Sequence, residues 1–372
     1  MLTTNSDFIS GRNQPDNRRQ LIMPLNVNFS ESAITALALA KVGNPIREEP
    51  LLVSKNLCKF NDREADLLTT CFLKPFRSLD LHQLDGERGP QDNPLFRIAT
   101  QVFNQDAPLI DAASEIAGHL YATSNHPNIK SGDLCISLVD GIIIGGHAVK
   151  GLCLIKSEMK VPFLQIRENG GDLTLKTQEG ISPDKVDKGC LILDYQSEDG
   201  YAVYLFDKSG HTHFWNHEFA GAIAVRNEEY LTKRYGEMCV EFAKSGMPET
   251  VNEEKRLEVA NNALAYLNEA NQFEIDDFTE SFGGPKMVEE ISEFKEQFEN
   301  ETGVELEDSF EISKPEARKA KKKLKGRVRV DTGAEVVFSS AFIDQSHRYL
   351  ERGYDQAKGM KYMKIFFSHE LH

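Results

Sequence analysis

Between Asp133 and Asp207 the chain repeats one pattern. Short apolar runs (LCISLV, AVKGLCLI, VPFLQI, DLTLKT, GCLILDY and YAVYLF) are separated by Gly, Asp, Asn and Lys. Period-two runs in direct succession predict an antiparallel sheet rather than alternating βαβ units. Upstream, Asp62 is placed to cap a helix that turns Leu67, Leu68, Cys71 and Phe72 inward and stops near Pro75. Further helices are expected near 96–103 and 110–121. Ala36 to Asn44 (ALALAKVGN) fits either a helix by its alanines or a strand ending at the Gly43-Asn44 turn.

Helical spacing returns after Asn227. Leu257, Ala260, Leu264 and Leu267 form one stripe, and Val288, Ile291, Phe294 and Phe298 another, with Gly283-Gly284-Pro285 breaking the chain between them. Core packing is the expected use of both stripes. Ser313-Lys-Pro-Glu316 reads as a capping box opening a helix with an Ala317/Ala320/Leu324 face, and Gly326 as its C-terminal stop. Beyond it, Arg327 to Val330, a turn at Asp331-Thr-Gly333 and Val336 to Phe338 read as a hairpin. A second hairpin is expected through Leu350, Gly353, Gly359 and Lys361 to Phe367. The pattern as a whole predicts an α+β protein: a flexible N-terminus (1–28), an α+β domain (29–225), a helical segment (226–312) and a C-terminal helix with β-hairpins (313–372).

Composition narrows the class. With 372 residues, 40% hydrophobic and 27% charged, the chain has enough apolar residues for a sizeable core. A disordered chain, a collagen-like repeat and a disulfide scaffold are excluded. No apolar run approaches the roughly 18 residues of a membrane helix, so no membrane partner is expected. The first 20 residues are polar and lack the apolar core of a secretory signal. Six scattered cysteines without a C-x-x-C pair suit reduced thiols in the cytoplasm.

Charge is unevenly spread. The net charge is −15, yet the residues from Lys314 onward balance at +7, which leaves −22 on the rest of the chain. Lys314 to Val330 alone carries nine Lys/Arg and one acid. An acidic body repels nucleic acid while a basic end attracts it, so a polyanion site confined to that end is expected. The candidate DNA-binding residues are Arg318, Lys319, Lys321, Lys322, Lys323 and Lys325 on the helix, and Arg327 and Arg329 on one face of the following strand. Lysine ammonium groups are hydrated point charges, better suited to phosphates than to base edges.

Other motifs carry less. His211, His213 and His217 lack the spacing of a zinc site, and Gly221 stands where H-E-x-x-H needs its second histidine. Gly141 to Ala148 ends in His-Ala where a phosphate loop needs Lys-Ser/Thr. No metal or cofactor is therefore expected. Asp140 with Glu158 and Lys160 matches the acid and Glu-x-Lys pattern of metal-dependent nucleases, which defines an enzymatic alternative.

Four strings are familiar together: HLYATSNHPNIKSGDL (His119 to Leu134), DKGCLILDYQSEDGYAVYLFD (Asp187 to Asp207), ENETGVELEDSFEIS (Glu299 to Ser313) and YLERGYDQAKGMKYMKIFF (Tyr349 to Phe367). In this order they resemble the NdpA/YejK-type nucleoid-associated proteins of bacteria, from about Ile34 to Phe367. Ser339 to His347 and the histidine-rich 211–217 segment depart from that resemblance. The resemblance implies a cytoplasmic protein of the nucleoid that binds DNA without known chemistry, and it supplies no catalytic residues. The expected function is thus non-enzymatic, mainly electrostatic, weakly sequence-specific DNA binding, with other nucleoid proteins as further partners. A second alternative is a protein-interaction component of the nucleoid with little DNA affinity of its own. A homodimer is expected too, because the stripes between Asn252 and Asn300 offer more apolar surface than a short bundle consumes.

Overall fold

In a computed structural model, residues 25–370 are described, apart from 78, 183–184, 211–212, 249–250, 252, 283–284 and 344. The N-terminus up to residue 24, His211 and the Gly283-Gly284 break therefore lie outside the described residues. The protein is α+β. Its first half holds strands β1 (Val27–Asn28), β2 (Ala33–Val42), β3 (Leu51–Val53), β4 (Leu81–Leu84), β5 (Gly132–Ile144), β6 (His147–Ser157), β7 (Val161–Asn169), β8 (Asp172–Gly180), β9 (Lys188–Leu193), β10 (Ala202–Asp207) and β11 (Ala222–Ala224). Helices α1 (Asp62–Leu73), α2 (Pro94–Phe103) and α3 (Leu109–Thr123) lie between them.

Nine of these strands form one sheet in the order β11-β4-β10-β9-β6-β5-β2-β3, with β1 added beside β5. Every pairing is antiparallel. Ala36 to Val42 thus resolves to strand. Alternate residues of each strand enter two separate cores. Leu134, Ile136, Leu152, Leu154, Ile192 and Val203 pack under α2, α3 and the buried Trp215. Cys135, Val139, Cys153, Ile155, Leu191 and Tyr204 pack with α1 and Phe76 on the opposite face.

Two details of the sequence reading change. Asn61 rather than Asp62 caps α1, accepting from the Glu64 backbone N–H at 3.0 Å while Glu64 accepts from the Asn61 N–H at 2.9 Å. Asp62 then falls in the first turn. Leu67 points to solvent, whereas Cys71 and Phe72 are buried. The glycines of Gly141 to Ala148 serve the hairpin. Gly145 and Gly146 form its two-residue turn with φ of +56° and +85°, and Gly141 sits at a bulge with φ of +76°.

β7 and β8 leave the sheet. Among the described residues they pair only with each other, as an antiparallel ribbon between β6 and β9. Both roots of this arm are tied together, because Asp187 Oδ2 accepts the backbone N–H of Glu158 at 2.6 Å and of Met159 at 3.1 Å.

The second half is mainly helical. It contains α4 (Glu228–Glu241), α5 (Glu253–Glu269), β12 (Gln272–Glu274), α6 (Ile275–Glu280), α7 (Pro285–Thr302), β13 (Ser309–Glu311) and α8 (Lys314–Lys323). These are followed by β14 (Lys325–Arg329), β15 (Glu335–Ser339), short helices α9 (Ser340–Ile343) and α10 (Ser346–Tyr349), β16 (Leu350–Asp355) and β17 (Met360–Ile365). Both expected C-terminal hairpins form, as β14–β15 and β16–β17. One core joins α4, α5, α7 and α8 around Tyr235, Phe273, Phe278 and Phe310. Ala260, Leu264, Leu267, Ile291, Phe294 and Phe298 are all buried in it. Six of the eight residues of the stripes from which a dimer was expected are therefore used within the chain, while Leu257 and Val288 are half-buried.

Candidate nucleic-acid interface

The basic stretch begins as helix because Pro315 stands in the first turn and Glu, Ala, Arg and Lys follow. The expected capping box does not form. The Ser313 side chain makes no cap bond, and its backbone N–H donates instead to Thr232 Oγ1 at 3.0 Å, which fixes the entry of the chain against α4. Ala317 is fully buried, Leu324 nearly so, and Ala320 packs beside them. Gly236 of α4 makes that approach possible, since a Cβ there would lie 2.8 Å from the Ala320 methyl. The helix ends at Lys323. Leu324 turns into extended backbone, and Gly326 lies inside β14 rather than stopping the helix.

This packing leaves the charges outside. Arg318, Lys319, Lys322, Lys323, Lys325, Arg327 and Arg329 are exposed and Lys321 is half-buried. Arg327 and Arg329 do share one face of β14, where Glu335 accepts from both, at 2.8 and 3.3 Å. Lys319 pairs with Glu316 at 2.5 Å. Among the described residues, no acid pairs with Arg318, Lys322, Lys323 or Lys325. Lys314 belongs to the scaffold. Its ammonium donates to the Asn268 carbonyl at 2.9 Å and to the Ala270 carbonyl, closing the C-terminal end of α5. Burial, helped by the nearby Arg318 charge, lowers the Lys314 pKa.

Sequence reasoning did not foresee a groove of about 320 Å³ between α4 and α8, lined by Lys233, Lys244, Lys319 and Lys323 together with Glu237, Glu241 and Glu316. Lys244 and Lys319, the nearest lysines of its two sides, are 75 residues apart in the chain, so no local pattern announces it. Lys233 is already engaged, donating to Asp80 at 2.8 Å.

The nuclease set does not assemble. Asp140 lies seven residues along β5 from Asp133, which pairs with Ser157 beside Glu158. At about 3.4 Å per residue that is roughly 24 Å of strand. Lys160 turns to Asp133 at 3.4 Å, and the Glu158 side chain is 2% exposed. Glu158 instead belongs to a buried ion network. Its Oε1 meets Lys156 at 3.0 Å and Lys188 at 3.2 Å, while Lys188 also meets Asp207 at 3.0 Å and Ser209. Burial lowers the Lys156 pKa. Burial alone would raise that of Asp207, but hydrogen bonds from Ser209 and Lys188 outweigh it and hold the carboxyl below its ordinary value.

The remaining histidines stay scattered. His213 contacts Glu218 at 3.4 Å, and its ring lies 5.0 Å from that of His217, whose pKa is lowered by burial and by His213. Among the described residues no three His, Cys, Asp or Glu side chains converge as metal ligands. Nor is any described helix long and apolar enough to cross a membrane.

The fold and this surface define a three-core α+β protein with an acidic body and a cationic helix–strand surface anchored near its C-terminal end. The chain belongs to the family described as nucleoid-associated protein YejK, whose model matches residues 41–358. No curated protein matches it.

Proposed function

We propose that the protein binds the DNA of the nucleoid through the outer surface of α8 and β14, as a binding protein and not an enzyme. One observation carries this reading. Arg318, Lys322, Lys323 and Lys325 stand exposed, without acidic partners among the described residues, on elements whose inner faces are locked by Ala317 and Leu324. Charges held without local counterions on a net acidic chain seek an external polyanion. Family membership supports the nucleoid as the location of that polyanion. Contact is to phosphates and weakly sequence-specific, since lysine heads read charge and not base edges.

A gel-shift titration on single- and double-stranded DNA, with and without Mg²⁺, tests the proposal. Retention of DNA without Mg²⁺, weakened by salt and without cleavage, is the expected result. Affinity no better than that of a variant lacking these charges would favour a protein-interaction role instead, and Mg²⁺-dependent cleavage would favour an enzyme.

A further inference from the structure

Four of the six exposed Phe and Tyr side chains among the described residues lie on the β16–β17 ribbon or at its ends. They are Tyr349, Tyr354, Phe366 and Phe367, at 41, 60, 51 and 68% exposed. Residues 348–367 also carry five Lys/Arg and two acids, a balance of +3 within a chain of −15. Both acids are engaged inside the ribbon. Glu351 accepts from the Tyr362 hydroxyl and from Lys364, each at 2.8 Å. Asp355 accepts the backbone N–H groups of Ala357 and Lys358 in the turn, at 2.9 and 3.1 Å. Among the described residues no acid pairs with Lys358 or Lys361. Lys314 to Val330, by contrast, contains no aromatic residue. The α8 surface thus offers charge alone, and the ribbon offers charge interleaved with rings.

Among the described residues β16 and β17 pair only with each other. Leu350 and Arg352 share the face that closes a cavity of about 370 Å³ against α5 and Phe338, which turns Tyr362 and Lys364 outward on the other. The Tyr362 ring lies across Gly353, where a Cβ would stand 2.5 Å from the ring carbon that bears the hydroxyl. Lys364 sits over that ring, 4.6 Å from its centroid. The Phe366 N–H donates to the Tyr349 carbonyl at 2.8 Å, so the ladder runs one step past β17. Alternation then carries Phe366 onto the face of Tyr362 and Lys364.

We propose that this outward face takes single-stranded DNA, a site that presupposes the DNA ligand proposed above and differs from α8 in its chemistry. Bases stack on Tyr362 and Phe366, and Lys364 leaves the ring for the phosphate between them. In a duplex each base face is covered by the next base, so the rings gain contact only where the strands are apart. The spacing agrees. Tyr362 and Phe366 lie four residues apart, about 13 Å along the strand, which is two steps of a single strand stretched to roughly twice the 3.4 Å duplex rise. Lysine beside phenylalanine also suits an anionic membrane surface. A ring laid flat across a strand presents its face for stacking, however, and does not stand out to enter acyl chains. Membership of a nucleoid-associated family favours the nucleic acid as well.

Fluorescence anisotropy of the full chain with a labelled 20-nucleotide oligothymidylate, beside a labelled duplex, tests this. The wild type is expected to bind both. Replacing Tyr362 and Phe366 together by Leu keeps apolar bulk and removes the rings. Oligothymidylate binding should then weaken about tenfold or more, with duplex affinity unchanged. A wild type that does not retain the oligothymidylate, a double variant that binds it as the wild type does, or an equal loss on both ligands overturns the proposal. Phe366→Trp gives a readout that does not depend on the double variant folding. Trp215 is fully buried, so the added indole reports the ribbon, and oligothymidylate should quench it. An indole that oligothymidylate leaves unchanged, or that responds only to vesicles of anionic phospholipid, overturns the single-strand site. The quench should also persist when Arg318, Lys322, Lys323 and Lys325 are replaced by Gln, whether or not duplex affinity falls. A quench lost with those charges places the single strand on α8 and overturns the ribbon site alone.

Discussion

Replacing Arg318, Lys322, Lys323 and Lys325 together by glutamine removes the four exposed charges that no described acid neutralises. If the eight basic residues of α8 and β14 engage about six phosphates, the log–log salt dependence of binding has a slope near roughly −5. Each lost contact flattens that slope by about 0.9, so the quadruple variant should fall to about −2. Referred to 1 M salt, one contact is worth about fivefold in affinity at ~0.15 M, and four together about 10³. The loss should shrink as salt rises and be the same for any duplex sequence. Glutamine is nearly as good a helix former as lysine, and the inner Ala317/Ala320/Leu324 face is untouched. Stability should therefore move by no more than about 0.5 kcal/mol per site. Fluorescence anisotropy of a labelled duplex at four salt concentrations, beside thermal unfolding, measures both quantities. A folded variant with wild-type affinity and an unchanged slope would refute the reasoning and move the site elsewhere.

Glu158→Gln should destabilise the protein by about 3 kcal/mol, because it leaves Lys156 and Lys188 buried beside a neutral partner, whereas Asp140→Asn should leave the thermal midpoint nearly unchanged. Asp207 has a folded pKa below its unfolded value, so its contribution is present above about pH 4 and lost as pH falls through the depressed value. Acid unfolding of Asp207→Asn should accordingly show a flatter dependence of stability on pH below about 4. Native thiol titration should find one accessible cysteine, Cys58, while the five others react only on unfolding; burial pushes the Cys135 thiol up to about 12 and Cys153, Cys190 and Cys239 also upward. Gly200→Ala should be strongly destabilising, since φ there is +104° and a Cβ would collide with the Leu84 carbonyl.

Strand alternation made the sheet legible from Leu134 to Phe206, because burial on both faces still keeps one residue in two for each core. That same signal could not separate sheet from arm. Leu164-x-Ile166 and Leu173-x-Leu175 alternate as core strands do, and only the pairing of β7 with β8 alone shows that their apolar face meets solvent. The basic helix and hairpin were readable from local composition, and so were the boundaries of both C-terminal hairpins to within a residue or two. Caps were less so. Asn61 competes with Asp62 for one position, and Ser313 gives its backbone N–H to Thr232 on a distant helix. Glu158 was the hardest to read. Its partners Lys156 and Lys188 lie on neighbouring strands 32 residues apart, and a buried ion network leaves no periodic trace.

The anchoring of α8 has an entropic consequence. A disordered tail with the same lysines would give up roughly 1 kcal/mol of backbone freedom for every residue it ordered on a ligand. Here that loss is complete once the chain has folded, through Ala317 and Leu324, and only side-chain rotamers remain to be fixed. The charges consequently keep nearly constant separations. A tail can follow any path of phosphates, whereas a rigid array fits some curvatures and groove widths better than others. If DNA is the ligand, as proposed, such an array would sort it by its shape and its willingness to bend, without a base being touched.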